Sequence, residues 1–325
     1  MVIVLKPYKN MIEQEKKIIQ GPALKEIWET GKLRLGMYLN FEGLSFKVRG
    51  RLQGLEVEAA NLLTEELCKI VDRKIELEIV DQEWSQIIKV LKDRKYHAVF
   101  SALIPNSMYD RYFVRYTRPY LSTGIVIVAP ALDGAPLGNI TEDVSSLKEK
   151  RIIVINDPAA RRVMRRAGIY VPGDGGQEEP SMYFPLEETL REMEKGKRLS
   201  ERHGQNYVEP GLIPVKQILQ IDEMPVIYDM LARGEVDAGI IDLGIIWWVG
   251  SLSRRYAKRI HVFRKCVGPF IYSAVTNNED EDLHIILDKA IAGMIKNPKY
   301  KQIVMKWHGG QWWDWGYSAE DFVKF

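Results

Sequence analysis

The strongest constraint on the fold of this chain is a unit that occurs twice, about 140 residues apart: an amphipathic helix, a basic turn and a short apolar strand. The first copy is WSQIIKVLKDRKYHAVFSAL (84–103) and the second is PVIYDMLARGEVDAGIIDLG (225–244). In the first, Trp84, Ile87, Ile88 and Leu91 recur at helical spacing, Arg94 and Lys95 break the pattern, and Ala98, Val99 and Phe100 predict a strand buried on both faces. In the second, Val226, Ile227, Met230 and Leu231 take the helical part, Arg233 and Gly234 the turn, and Ala238 to Ile241 the strand. Each copy ends in small or polar residues, Ser101-Ala102 and Asp242, where a parallel strand meets its following loop. Open α/β sheets form their crevices at those carboxyl ends. Two such sheets facing one another predict a cleft.

The segments around the repeats alternate in the same way. GPALKEIWETGKLRLGMYLN (21–40) predicts a short helix, a stop at Gly31 and a strand from Leu33 to Gly36. Leu55 to Ile70 carries helical periodicity, and Ile75 to Val80 alternates as a strand. Strands and helices taking turns predict a parallel sheet. RYTRPYLSTGIVIVAP (115–130) leads into a loop marked by Gly134, Pro136 and Gly138, and a second cycle opens with a strand at Arg151 to Ile155. From Val171 to Pro214 the composition shifts: VPGDGGQEEP is rich in Gly and Pro, and LEETLREMEKGKRLSERHG (186–204) is heavily charged. This stretch is too long for a tight α/β connection and predicts an insertion carrying one solvated helix. PFIYSAVTN (269–277) predicts a late strand, and Asp280 to His308 a closing helical region. Trp307, Trp312, Trp313 and Trp315 predict an aromatic cluster pinning the tail to the core, and MIEQEKKIIQ (11–20) a short peripheral helix.

A chain of 325 residues is long enough for two domains. Its 46 basic and 44 acidic residues are interspersed, so no electrostatic footprint for nucleic acid appears. No run approaches the roughly 18 apolar residues of a membrane span. MVIVL (1–5) lacks the pattern of a signal peptide, which leaves two expectations: a cytoplasmic chain, or a mature or trimmed form of an exported one. Cys68 and Cys266 are too few for a disulfide framework and lack metal-ligand spacing. Cys68, in the helical run NLLTEELCKI, is expected to pack as a small hydrophobe, and a single bridge to Cys266 stays open. Nucleotide-binding glycine loops, zinc-protease motifs and nucleophile elbows are absent, and His97, His203, His261, His284 and His308 are scattered. The expectation is a protein that is not an enzyme and uses no cofactor and no metal.

In order, LKEIWETGKLRLG (24–36), NFEGLSF (40–46), RLQGLEVEAANLLTEEL (51–67), the first repeat, DRYFVRYTRPYLSTGIVIV (110–128) and the second repeat resemble the extracytoplasmic solute-binding proteins that feed polar amino acids to ABC importers, family 3 of that class. The resemblance spans about 24 to 308 and is interrupted by the insertion at 171–214. It implies an α/β, two-lobed, periplasmic-binding-protein-like fold of type II, each lobe a mainly parallel sheet flanked by helices, with a ligand cleft between the lobes. Lobe one would comprise 1–121 and 269–325, and lobe two 122–268. A hinged clamp of this Venus-flytrap kind buries its ligand and signals closure to a partner.

The resemblance also implies site residues. Phe41 stands where the family places an aromatic wall against the ligand, and Ser101 and the backbone of Leu103 stand where it holds the ligand's amino and carboxylate groups. Arg111 matches the arginine that grips a ligand carboxylate with two parallel donors. The loop IPNSMYD before it is two residues longer than usual, so Arg115 and Arg118 compete for the same match. Asp242 matches the acid that pairs with a ligand ammonium from the second lobe. At the second-lobe strand-to-helix turn, INDPAARRVM (155–164), Pro158 and Ala159 replace the family's Gly and Ser or Thr. Asn156 and Asp157 remain as polar candidates there, and an Asp at a helix start repels a carboxylate. Ile104 replaces a common hydroxyl, and Tyr38 a common acid.

The implied function is a receptor for a small amino-acid-like or carboxylate ligand, expected to be periplasmic and monomeric, with a membrane ABC permease as partner. Two other assignments share the fold. IPNSMYDRYFVRYTRPYLSTG is also similar to accessory proteins of quinoprotein alcohol dehydrogenases, whose partner is a periplasmic dehydrogenase. Cyclohexadienyl dehydratases share a PYL-like segment and need a carboxyl general acid, a role open here only to Asp157 or Asp242.

Overall fold

A computed structural model of the chain describes residues 21–105, 114–155, 169–170, 213–221 and 223–310. The first cycle runs through α1 (Pro22–Thr30), β1 (Lys32–Met37), a small antiparallel ribbon of β2 (Asn40–Phe41), β3 (Ser45–Val48) and β4 (Arg51–Gln53), then α2 (Leu55–Val71) and β5 (Glu76–Asp81). A 3₁₀ turn at Trp84–Gln86 leads into α3 (Ile87–Lys92), followed by β6 (Ala98–Val99). The chain then crosses on β7 (Val114–Leu132), which folds back on β8 (Ala135–Pro136). The second cycle has β9 (Arg151–Ile155), β10 (Ile169–Tyr170), β11 (Ile213–Pro214), β12 (Gln217–Ile221), α4 (Met224–Arg233), β13 (Ala238–Asp242) and α5 (Leu243–Leu252). The return strand β14 (Ile260–Asn277) leads to α6 (Glu281–Lys296) and α7 (Pro298–His308).

The main sheet is ordered β12-β9-β13-β7-β14-β6-β1-β5. It is symmetric about its centre. On one side β5, β1 and β6 are parallel, and on the other β12, β9 and β13 are parallel; in each, the first strand of the cycle is flanked by the second and third. Between them β7 and β14 form one long antiparallel ribbon, with Leu121 opposite Tyr272 and Gly124 opposite Pro269. At about 3.3 Å per residue, strands of this length run through both halves. Shifts of register between Val262 and Cys266 and between Tyr272 and Val275 bend the ribbon, as β-bulges do.

The repeated unit is also a repeat of backbone hydrogen bonds. Lys95 N–H donates to Val90 O, and Glu235 N–H to Met230 O; Arg94 N–H donates to Leu91 O, and Gly234 N–H to Leu231 O; His97 N–H donates to Arg34 O, and Asp237 N–H to Arg151 O. The donors of all three pairs and the acceptors of the first two are offset by the same 140 positions, and the third pair of acceptors is Arg34 and Arg151, in the first strand of each cycle. The side chains follow: His97 Nδ1 accepts from Arg34 N–H at 3.0 Å, and Asp237 Oδ2 from Arg151 N–H at 2.8 Å. Both turns need a left-handed residue, Arg94 (φ 57°) in one and Gly234 (φ 69°) in the other. Arg94 is held there by a bidentate pair with the buried Asp280. His97 is thus a packed structural residue.

Elsewhere the structure refines the sequence boundaries. Gly31 (φ 69°) stops α1, and β9 covers the expected residues. The closing helical region is two helices, because Pro298 lacks the N–H to continue α6 and Asn297 caps the new start at Lys299 N–H (3.1 Å). β14 begins at Ile260 rather than at residue 269. Cys68 and Cys266 are free thiols, and Cys68 is half-buried, its sulfur accepting from Ile75 N–H. The ends of the insertion meet, with Ile169 opposite Ile213 and Tyr170 opposite Pro214 in a parallel pair. Its expected helix, the helix at 11–20, and Trp312, Trp313 and Trp315 lie outside the described residues. Among the described residues, no helix is long and apolar enough to cross a membrane.

Candidate functional site

The turn after β6 carries two of the residues expected at the site. Ser101 is fully buried, and its Oγ accepts from Tyr38 N–H at 3.1 Å, tying this turn to the end of β1. Its own proton has no acceptor among the described residues. Ala102 sits at φ 45°, a left-handed conformation that costs a non-glycine residue about 1 kcal/mol or more. Three contacts hold it there. Ala102 N–H donates to Glu56 Oε1 at 2.6 Å and lies 3.1 Å from the Tyr120 hydroxyl, while Leu103 O accepts from Ser273 N–H at 2.9 Å.

Glu56 is therefore the group that fixes this turn, and it was not singled out from the sequence. It lies in the first turn of α2, completely buried. The Tyr120 hydroxyl donates to Oε1, and Ser45 Oγ lies 3.3 Å from Oε2 and 2.8 Å from Tyr38 O. Burial pushes the carboxyl up to about 7, the bonds from Tyr120, Ala102 and Ser45 oppose that shift, and the charge of Asp242 adds to it. When Glu56 carries its proton, it can donate to Ser45, whose single hydroxyl proton then serves the Tyr38 carbonyl. The sequence held a sign of this: Glu56 falls on the same helical face as Ala60 and Leu63, where an acid is out of place.

Asp242 has a folding role that its sequence context hid. It is the N-cap of α5, its Oδ1 accepting from Gly244 N–H at 2.8 Å. Thr123 Oγ1 lies 3.2 Å from the same oxygen, and the Tyr272 hydroxyl donates to Oδ2. Beyond Thr123 stands His308, fully buried, with Nε2 3.1 Å from Thr123 Oγ1 and Nδ1 2.7 Å from Gly310 O. Burial lowers its pKa to about 4, so at neutral pH the ring is uncharged, with its proton on Nδ1 facing the carbonyl.

The two clusters meet on the crossing ribbon. Ser273 of β14 binds Leu103, and its neighbour Tyr272 binds Asp242; the Tyr120 and Tyr272 rings are 6.2 Å apart. Phe41 is buried, edge-on to Tyr38 at 4.7 Å and to Trp84 at 5.2 Å, so it lies in a cluster of three rings. Ile104 is half-buried beside the turn. Arg115 bonds Asn278 and Glu281, and Arg118 makes a paired contact with Asp288 of α6, so both arginines are engaged with partners away from this cluster. Arg111, Asn156 and Asp157 lie outside the described residues.

Comparison with known proteins bears on the family and the fold. Residues 33–310 match the bacterial extracellular solute-binding proteins, family 3. Among solved structures, a mutant of ArgBP from T. maritima is 18% identical, with a TM-score of 0.57 over 88% of this chain and 99% of that one. An ancestral amino acid-binding protein, AncCDT-1, described as a precursor of cyclohexadienyl dehydratase, is 16% identical, with a TM-score of 0.59 over 88% and 98%. The substrate binding protein of an amino acid ABC transporter is 15% identical, with a TM-score of 0.57 over 86% and 99%. At these identities the likeness is one of fold. A comparison with curated proteins finds no match to the chain. With a matched segment that takes in both parallel half-sheets and the ribbon between them, the chain belongs to the bacterial extracellular solute-binding proteins, family 3.

Proposed function

We propose that this protein captures a small amino-acid-like or carboxylate-bearing solute in the crevice between its lobes, outside the cytoplasm, for a membrane ABC permease. One observation carries the reading: the strained Ser101–Leu103 turn and the Asp242 cap, from opposite half-sheets, are anchored to adjacent residues of β14. In this reading the lobes divide at 121/122 and 268/269, a few residues apart in register on the ribbon, where Leu121 lies opposite Tyr272 and Gly124 opposite Pro269. In this scheme the aromatic wall at Phe41 contacts the apolar part of the solute, Ser101 offers its unassigned proton, and the Leu103 backbone supplies a further polar contact. Arg111 grips a carboxylate, and Asp242 pairs with an ammonium. At the second-lobe turn, Asn156 and Asp157 take the place of the usual hydroxyl. The amino-acid ligands of the structural neighbours support the solute class.

Native mass spectrometry of the freshly purified protein identifies the retained solute, and calorimetry with Ser101→Ala and Asp242→Asn then tests the placement. Each substitution is expected to weaken binding about tenfold or more, the loss of a hydrogen bond to a charged group. Binding at the parent's affinity by both variants overturns the placement.

A further inference from the structure

One buried polar group in the second repeat has no partner. The hydroxyl of Tyr228, on α4, is fully enclosed and makes no hydrogen bond among the described residues. Leaving such a group unmade costs about 1–3 kcal/mol, and among the described residues the hydroxyl shares that state only with His97 Nε2, Ser273 Oγ and Trp307 Nε1, so its persistence points to a partner that the chain itself does not supply. Its ring packs 5.7 Å from that of Tyr256, whose own hydroxyl is taken by Asp229 at 2.8 Å. The groups that act electrostatically on the Tyr228 hydroxyl come from both lobes: Glu42 and Tyr38 from the first, Tyr256 and Asp242 from the second.

Glu42 is brought there by the tight turn between β2 and β3. Gly43 (φ 92°) lies so close to α5 that a Cβ on it would sit 2.8 Å from Trp248 Cβ, and Phe46 continues the contact with its ring 5.1 Å from that of Trp248. No side chain larger than hydrogen fits at 43 without pushing the lobes apart. Glu42 is half-buried, and it makes no ion pair or hydrogen bond among the described residues. The nearby cation, Arg255, is engaged by a paired contact to Asp229 at 2.8 and 3.0 Å. Burial raises the pKa of Glu42, with Arg255 opposing only in part, which is the condition of a carboxylate lacking its counter-charge. The surroundings are otherwise acidic, with Glu83, Glu223 and Asp81 acting on Tyr38.

We propose that Glu42 and Tyr228 form a subsite at the lobe boundary for the cationic end of the bound solute, an amine or a guanidinium. The carboxylate supplies the counter-charge from lobe one and the tyrosine oxygen accepts an N–H from lobe two, so the subsite is complete only when the lobes are together. The subsite rests on the receptor function proposed above.

Calorimetry with L-arginine, L-lysine, L-glutamine and L-glutamate tests it on the parent, Tyr228→Phe and Glu42→Gln. Tyr228→Phe keeps the ring contact with Tyr256 and removes only the orphan hydroxyl, so its unliganded melting temperature is expected to equal or exceed the parent's. The parent is expected to bind arginine or lysine most tightly, and each variant to weaken that binding about tenfold while changing glutamine binding less than about threefold. Preference of the parent for glutamine or glutamate, parental affinity for the cationic ligand in either variant, or an equal loss across all ligands overturns the subsite while leaving the receptor function standing. No binding of any of the four by the parent overturns the subsite, and the receptor function falls with it only when the other amino acids and small carboxylates also fail to bind.

Discussion

Glu56 and His308 are buried groups whose titrations oppose one another. Glu56 has a folded pKa of about 7 against 4.5 when exposed, so the folded state retains a proton that the unfolded chain releases; its contribution to stability is greatest at low pH and is lost as pH rises from 4.5 to about 7. His308 has a folded pKa of about 4 against 6.5, so its contribution is present above 6.5 and is lost as pH falls toward 4. Each window spans on the order of 3 kcal/mol. Urea denaturation between pH 5 and pH 7 is therefore expected to show the stability of Glu56→Gln, relative to the parent, rising with pH, and that of His308→Asn falling. Slopes of the same sign contradict the assignment. At this scale the sequence was partly legible. Ser101 and Asp242 were marked by the ends of the repeat and Phe41 by the family resemblance alone, while Glu56, an acid on an apolar helical face, was passed over. Tyr228 was not marked, because its helix position suits a buried tyrosine and only the fold shows its hydroxyl without a hydrogen bond among the described residues.

Among the elements, α5 was invisible to periodicity. LGIIWWVGSL is apolar all round and packs Leu243, Ile245, Ile246 and Val249 into the core, so it shows no 3.6-residue stripe. The helix start was legible only through Asp242, which the strand before it disguised as a strand end. That dual position separates fold from function. Asparagine caps a helix nearly as well as aspartate, whereas alanine does not cap at all. Asp242→Ala is expected to lose about 1–2 kcal/mol in chemical denaturation, leaving the Tyr272 hydroxyl without its acceptor, while Asp242→Asn stays within about 1 kcal/mol of the parent. Equal losses would show that the charge, not the cap, stabilises α5. Elements with strong local rules were placed well: α1 by its glycine stop, β9 by an apolar run, α2 by its periodicity. β14 was cut short because its first half pairs with β7 through irregular register, which a strict two-residue alternation does not reveal.

For the molecule as a whole, the repeat proved to be deeper than its residue pattern. Both copies supply the third strand of a parallel half-sheet, and both place that strand against the crossing ribbon, β6 beside β14 and β13 beside β7. The turns that end the two repeats thus bond to neighbouring residues of β14, Leu103 to Ser273 and Asp242 to Tyr272. Helix-turn-strand periodicity revealed the halves; the ribbon that joins them, and the buried chain from Glu56 through Tyr120 and Tyr272 to Asp242, depend on contacts distant in sequence and could be seen only in the fold. The most direct test is a thermal-shift titration of the unmodified protein against the twenty amino acids and a set of small carboxylates at millimolar concentration. The account predicts that at least one of them stabilises the fold saturably, by about 3 kcal/mol at a hundredfold excess over its dissociation constant; no shift with any of them would contradict it.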